Sequence, residues 1–431
     1  MVLSAYSAYK KSNSPWLGDI PVHWGIKKLK FLAVVQPSNV DKKTVDGEEP
    51  VLLCNYTDVY KNEYINSRLD FMQASATEDE IKKFAVDIGD VIVTKDSETP
   101  GDIAVPACVT EKIDSLLCGY HLTQIKPVDL EGKYLFRLFQ SKGFNAQFTV
   151  AANGVTRFGL PQYAIANAFT PVPPIDEQQA IARFLDFKTA QIDALIAKKQ
   201  ALLGKLAEKR TALISHAVTK GLDSSVPMKD SGVAWLGEIP AHWKILPLKY
   251  AVTFQRGHDL PSDDRTEGEI PLVSSAGISS SHDRAMAKGP GIVTGRYGTI
   301  GKFTYVESDY WPLNTTLYSI ATYENNAKYL WYMMHILSDL FILNSKKGAV
   351  PGVDRNDLHP VLTAIPLRLE QDKITVYLDS VTAKLDIQAE KINEVISRLI
   401  EYRSALITNA VTGKIDVRDV VIPTPAEPAH A

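Results

Sequence analysis

The sequence predicts an α+β protein built twice on one frame: two globular domains of mixed strands and helices, joined by two long helices. Three observations predict it. The stretch SPWLGDIPVHW at residues 14–24 returns as VAWLGEIPAHW at residues 233–243, and from Trp16 and Trp235 onward seven of nine positions are identical at an offset of 219. A second pair closes each unit: PPIDEQQAIARFLD at residues 173–186 and PLRLEQDKITVYLD at residues 366–379 align through Glu177/Glu370 and Asp186/Asp379 at an offset of 193. Behind each closing segment runs a long heptad pattern. Self-similarity of this kind marks repeated architecture.

The elements follow in chain order. Leu29-Lys30 and Leu248-Lys249 keep the offset of 219, so the opening match extends past the box. The drop to 193 makes the insert of the second half 26 residues shorter, and between the boxes the halves diverge. Each insert reads as strands and loops followed by a helix. GDVIVTK (residues 89–95) and GPGIVTGRYGTIGKFTYV (residues 289–306) are β-branched runs broken by glycine, which suits short strands with tight turns. KYLFRLFQS (residues 133–141) and KYLWYMMHIL (residues 328–337) read as apolar helices. One scaffold thus carries two unlike surfaces.

Leu378, Val381, Leu385, Gln388, Ile392, Val395, Leu399, Tyr402 and Leu406 recur at alternating steps of three and four, the a/d pattern of a coiled coil. The helix they predict has about 45 residues and a length of roughly 65 Å. In the first copy Leu185, Ile192, Leu195, Leu202, Leu206 and Leu213 keep the seam, while Lys188, Lys199 and Lys209 stand where the second has Val381, Ile392 and Tyr402. Two complementary seams favour pairing with each other; the alternative is two separate helices, each packed on its own domain. RTALISHAVT (residues 210–219) and RSALITNAVT (residues 403–412) hold the offset of 193, so the helices have equal length. Asp176 with Gln179 resembles a capping box behind Pro173-Pro174, and Leu369 replaces that aspartate in the second copy. Gly221 and Gly413 place the helix ends. The expected layout is 1–172 and 222–365 as globular domains, 173–221 and 366–415 as helices, and 416–431 as a Pro/Ala-rich disordered tail. Because the Trp235 box follows a helix whereas the Trp16 box follows none, the end of the second helix is expected to pack near residues 14–24.

Composition narrows the function classes. Hydrophobic residues make up 45% and charged residues 23%, so the chain should fold. No apolar run reaches membrane-spanning length and the first residues lack a signal-peptide layout, which points to the cytoplasm. Cys54, Cys108 and Cys118 form no C-x-x-C pair and read as buried thiols. The formal net charge of −3 gives no support to nucleic-acid binding, and acidic residues slightly outnumber basic ones over residues 25–170. Any positive surface has to be local.

Catalytic motifs fail on inspection. An adenine methyltransferase needs an acidic or amide residue before Pro-Pro-aromatic, but Pro173-Pro174 lies between Val172 and Ile175. A P-loop needs a glycine where Arg296 stands and Ser or Thr where Phe303 stands. The nine histidines show no metal-ligand spacing, and His23 and His242 sit inside the repeated box, where packing is the expected role. Glu177 and Glu370 are read as structural helix-start carboxylates, and Trp16/Trp24 and Trp235/Trp243 as hinge packing. No residue reads as a nucleophile or general base.

The two WLGxIPxHW boxes, the GIVTGRYGTIGK turn, the glycine-containing return loops and the EQ-containing closing boxes resemble the specificity subunits of Type I restriction-modification systems, over about residues 14–415. The resemblance implies two target-recognition domains separated by two long helices packed as an antiparallel coiled coil with pseudo-twofold symmetry. It implies that each domain reads one half of a bipartite site in double-stranded DNA and that regions near the helices dock two adenine methyltransferase subunits. Restriction subunits with nuclease and translocase activity would complete the complex. S-adenosylmethionine, ATP and magnesium would belong to those partners, with no cofactor and no catalysis in this chain. The first half departs from the pattern, with KDSETPGD (residues 95–102) where the second has GRYGTIGK (residues 295–302).

Base readout needs donors and acceptors presented on loops. The candidate DNA contacts are Arg296, Tyr297, Thr299, Lys302, Lys346, Lys347 and Arg355 in the second half, and Lys142, Asn145, Asn153, Thr156 and Arg157 in the first. Two rival functions remain: a structural coiled-coil adaptor whose inserts bind proteins, which the acidic balance favours, and a nucleotide-binding or hydrolytic enzyme using the GRYGTIGK loop, which the failed motifs disfavour.

Overall fold

The computed structural model describes residues 4–297, 299–345 and 352–423. The chain divides into two units, residues 1–199 with 394–431, and residues 200–393, so the boundary falls inside both long helices.

In the first unit a five-stranded sheet runs in the order Ala33–Pro37, Leu122–Pro127, Val91–Thr94, Pro106–Val109, Tyr64–Ile65. All neighbours are antiparallel except the last pair. A three-stranded sheet places Glu49–Cys54 between Leu116–Cys118, parallel, and Met72–Ala76, antiparallel. Val91–Thr94 is wholly buried, as its unbroken apolar run requires. Against this sheet lies the helix Gly132–Phe139, then Lys142–Ala151, joined by the rings of Phe139, Phe144 and Phe148 at 5.1–5.3 Å. Such aromatic contacts are worth about 0.5–1.5 kcal/mol each beyond area burial. Phe169–Val172 returns antiparallel to Gly25–Lys28, bringing the closing box back to the opening one.

The second unit repeats this path with fewer strands. Its main sheet runs Thr253–Arg256, Thr316–Ala321, Gly291–Gly295, Phe303–Val306, all antiparallel. Ile270–Ser274 lies between Gly277–His282 and Trp311–Pro312, and Leu362–Ile365 returns to Lys244–Pro247. The helices Ala327–Ile336 and Ser338–Ser345 take the place of the first unit's pair. Among the described residues no strand answers to Tyr64–Ile65, so part of the 26-residue difference is the loss of an edge strand.

The long helices are Ile175–Lys220, of 46 residues, and Arg368–Val411, of 44. In the first unit Ile181, Phe184, Leu185 and Ile192 share a core with Leu406, Ile407, Ala410 and Val411, and Arg403 Nε donates to Asp193 Oδ1 at 2.9 Å. In the second, Ile214, Ala217 and Val218 share a core with Ile374 and Leu378, and Arg210 pairs with Asp386. Within each unit the start of one helix meets the end of the other, an antiparallel pairing. The heptad seam is buried only towards these ends: Leu195, Leu202, Val395 and Tyr402 are exposed.

Two expectations change. The first helix begins at Ile175, so Asp176 lies within its first turn rather than at the cap. The tail is also ordered further than its composition predicted. Asp416 bridges to Ser4, Arg418 pairs with Asp416 at 2.6 Å, and Val417, 2% exposed, joins the core with Ile20 and Trp24. Lys414 Nζ donates to the carbonyl of Asp19 at 2.5 Å, so the end of the second helix does meet the opening box. Gly413 has a φ of 70°, and a Cβ there would overlap Pro21.

Candidate nucleic-acid interface

The repeated boxes form one joint in each unit. Trp24 Nε1 donates to Glu177 Oε1 at 3.0 Å and His23 Nε2 lies 2.9 Å from Oε2. Trp243 Nε1 and His242 Nε2 hold Glu370 in the same way at 3.1 and 2.8 Å. The glutamine that follows ties the next element: Gln178 Nε2 donates to the Pro173 carbonyl at 2.9 Å and its Oε1 accepts from Glu131 N at 2.9 Å. Gln371 does so with the Pro366 carbonyl and Asn326 N at 3.0 and 2.8 Å. Glu131 and Asn326 are the N-caps of the equivalent helices, and each glutamine takes the N-cap residue's own backbone N–H. These couplings explain why His-Trp and Glu-Gln are identical in both copies: a carboxylate withdrawn wholly or partly from water needs its donors. The first joint adds Tyr6, whose hydroxyl donates to Glu177 and whose pKa is raised by burial and by that carboxylate.

Since the repeated residues are spent on this joint, the surface that can differ between halves lies where the loops do. In the first unit the loop after Val91–Thr94 carries Asp96, and Asp96–Ser97 pairs with Phe158–Gly159. The cleft there, of about 680 Å³, is lined by Lys42, Tyr56, Tyr60, Asp96, Glu98, Asp102, His121, Thr156 and Arg157. Asp96 holds Arg157 Nη2 at 2.8 Å and His121 Nδ1 at 2.6 Å. Arg157 is thereby held more firmly protonated, its pKa raised by the Asp96 hydrogen bond and charge. Tyr56 and Tyr60 stack at 5.5 Å, and the Tyr60 hydroxyl donates to Asp102 Oδ2 at 2.6 Å.

In the second unit the strand Gly291–Gly295 leads directly into Arg296, and Tyr297 bridges to Gly352. A cleft of about 710 Å³ is lined by Gln255, Arg256, Gly257, His258, Asp259, Arg296, Leu317, Asp354 and Arg355. Where the first half offers a carboxylate gripping an arginine from another loop, the second offers the arginine itself.

Of the expected contacts, Thr156 and Arg157 meet in the first cleft, and Arg296 and Arg355 in the second. Tyr297 and Lys302 are exposed beside the second cleft's loop, and Asn153 is exposed at the base of the hairpin that carries Arg157, its backbone paired with Gly159. Asn145 donates its amide to the Ile103 carbonyl at 3.0 Å, and the Thr299 hydroxyl donates to the Ser275 carbonyl, so both side chains make local hydrogen bonds. Lys142 is exposed but lines a different cavity, of about 730 Å³, beside Ile400, Arg403 and Ile407 of the second long helix. Lys346 and Lys347 lie outside the described residues. Sequence reasoning missed Asp96 and His121 in the first cleft, because it looked for loop cations and amides and their pairing joins residues 25 apart in the chain. It also missed Arg256, although the offset of 219 aligns Gln255 beside it with Gln36. Among the described residues no group of three or more His, Cys, Asp or Glu could hold a metal ion, and no helix is long and apolar enough to cross a membrane.

Residues 21–203 match the family model described as the Type I restriction modification DNA specificity domain. The putative type I restriction enzyme MjaX specificity subunit of Methanocaldococcus jannaschii is 26% identical over 282 residues, covering 62% of each chain, so the match spans less than two thirds of that relative. The type I restriction enzyme EcoBI specificity subunit of Escherichia coli is 23% identical over 320 residues, covering 66% of this chain and 67% of that protein. A chain from a solved type I R-M system superposes with a TM-score of 0.67 at 17% identity, over 92% of this chain and 99% of its own length. The HsdS subunit from Thermoanaerobacter tengcongensis gives 0.53 at 15% identity, over 92% and 98%. These two structural likenesses bear on the fold alone, and they agree with its mixed helix and strand content. With the doubled Trp-His-Glu joint, the matched specificity domain at residues 21–203 and these relatives, the chain is similar to the specificity subunits of Type I restriction-modification systems.

Proposed function

We propose that this chain is the DNA-reading subunit of a Type I restriction-modification complex, with residues 1–172 and 222–365 each reading one half of a bipartite site. The observation that carries the proposal is the pairing of identical joints with unlike clefts. A frame held constant while its loops change is what two readers of different sequences require. The helices at 173–221 and 366–415 act as an antiparallel coiled-coil spacer that sets the unread gap. Readers spaced by a rigid rod can meet major-groove segments about 34 Å apart, one turn of DNA. Arg157 with Thr156 in the first cleft, and Arg296, Tyr297, Lys302 and Arg355 around the second, are the proposed DNA contacts.

The chain itself performs no catalysis in this reading. Two adenine methyltransferase subunits dock beside the long helices, and restriction subunits join where cleavage occurs, all on cytoplasmic DNA. The exposed Leu195, Ile400 and Tyr402 support docking, because apolar side chains left in water on a helix favour burial against a partner.

The test is co-expression with the cognate adenine methyltransferase, followed by single-molecule sequencing of the host DNA. Methylation confined to a two-part motif with a fixed gap is the expected result. A stable complex that methylates without sequence preference would instead favour the protein-binding adaptor, the reading to which the net charge of −3 lends its weight.

A further inference from the structure

The second cleft holds three arginines and, among the described residues, no ion pair for any of them. Arg256 ends the strand Thr253–Arg256, Arg296 follows Gly291–Gly295, and Arg355 opens the short helix Arg355–Leu358. Among the described residues none of the three has a carboxylate within salt-bridge distance. The two acids in the lining are engaged otherwise. Asp259 accepts from the Asn314 amide, and Asp354 accepts from Asn356 N at 2.9 Å as a helix cap. The Arg296 guanidinium lies over the Tyr297 ring at 5.1 Å, and its Nε is buried without an acceptor. Its terminal NH₂ groups are then the donors left to serve the cleft.

Three guanidiniums against two carboxylates leave this lining net positive by one charge, which favours an anion in the cleft, and a base edge carries no charge. We propose that Arg256, Arg296 and Arg355 form a clamp for backbone phosphate of the bound DNA, fixing the second reader on the duplex rather than reading a base. The first cleft lacks this character, since Asp96, Glu98 and Asp102 line it and Arg157 is already paired. The clamp rests on the DNA-reading proposal and deepens it: the positive surface that the net charge conceals is concentrated in one half. Phosphate contacts position a protein without carrying sequence information, whereas base contacts specify.

The test uses the full chain in complex with its methyltransferase subunits, comparing wild type with Arg256→Gln, Arg296→Gln and Arg355→Gln. Binding to a duplex carrying the methylated motif and to a scrambled duplex is titrated at several salt concentrations, and the methylated motif is mapped for each variant. Each lost phosphate contact lowers the log–log salt slope by about 0.9, so between 50 and 200 mM salt the variant loses about three- to four-fold less affinity than wild type. The expected result is that smaller slope, weaker binding to both duplexes alike, and an unchanged motif. A motif that loses a base in its second half would overturn the clamp in favour of base reading. An unchanged slope in all three variants would overturn it as well. Charge-retaining Arg256→Lys and Arg355→Lys restore the slope if the clamp is electrostatic, and leave it reduced if the Gln variants had merely disturbed the loop. A wild-type complex that methylates without a motif would refute the DNA-reading proposal separately, because the salt slope is measured on any duplex.

Discussion

The two clefts occupy the same place in the two halves and differ in sign. In the first, Asp96 stands after the strand Val91–Thr94 and fixes Arg157 and His121 among further carboxylates. In the second, Arg296 stands after the equivalent strand, and its neighbours are two more arginines without an ion pair among the described residues. The joints beneath them are alike almost atom for atom. A fold can therefore hold its frame by a few buried polar bonds and leave the electrostatics of each cleft free, because loop side chains in water cost little to exchange.

The joints themselves offer the largest test of that comparison. Glu177 is 4% exposed and serves Trp24, His23 and Tyr6, whereas Glu370 is 28% exposed and among the described residues serves His242 and Trp243. A buried donor left unsatisfied costs about 1–3 kcal/mol, so Glu177→Ala should destabilise by about 3 kcal/mol and Glu370→Ala by about 1 kcal/mol. Thermal unfolding of both variants measures the gap, and equal losses would show that the joints are energetically equivalent despite the extra tyrosine.

Next in size is the first cleft. Arg157→Ala should weaken recognition of one half-site by about ten- to a hundred-fold, the worth of a good bidentate base contact. Asp96→Asn keeps the shape but releases the guanidinium, and should relax the same half-site while the other half of the methylated motif stays intact. Loss of both halves together would mean that the clefts are not independent readers.

A smaller effect separates the units by pH. The His359 Nε2 accepts a hydrogen bond from Phe254 N at 3.1 Å, so this ring is needed neutral. Burial, then the nearby Arg355 charge, lower its pKa below the usual imidazole range. A histidine whose folded pKa is depressed contributes stability above its unfolded value, near 6.5, and loses it as pH falls from there towards the folded pKa. Denaturant midpoints of wild type should therefore fall between pH 7.5 and 5.5 by more than those of His359→Gln; parallel curves would show that this histidine does not sense pH.

The smallest effect is an inertness. Cys54, Cys108 and Cys118 are all buried in the first unit, and burial pushes the Cys108 thiol up to about 12 and the other two upward as well. Since the thiolate is the reactive form, mass spectrometry should find no alkylation of the native chain at pH 8 and labelling only after denaturation. Rapid labelling of one cysteine would reveal local opening of the sheet that holds it.

Much of the frame could be read before any coordinates. The boxes at Trp16 and Trp235, the nearly equal lengths of the long helices, 46 and 44 residues, the apolar Lys-Tyr-Leu helices and the meeting of the second helix end with the opening box all follow from the repeat and its offsets. The sites were less legible. Arg157 and Arg296 were picked as exposed loop cations, but nothing in their neighbours showed that one is paired and the other free. Asn145 and Thr299 have the right chemistry for DNA and spend it on the carbonyls of Ile103 and Ser275.

By itself, then, the sequence determined the duplicated plan, because buried joints and helix seams constrain residues at fixed spacings, and spacing survives in a one-dimensional string. Only the tertiary structure decided the sign of each cleft, the ordering of residues 416–423 against Ser4 and the opening core, and the partners of Glu177 and Glu370. Each of these depends on side chains brought together from tens to hundreds of residues apart, where charge pairing and hydrogen-bond satisfaction are settled by distance in space rather than along the chain.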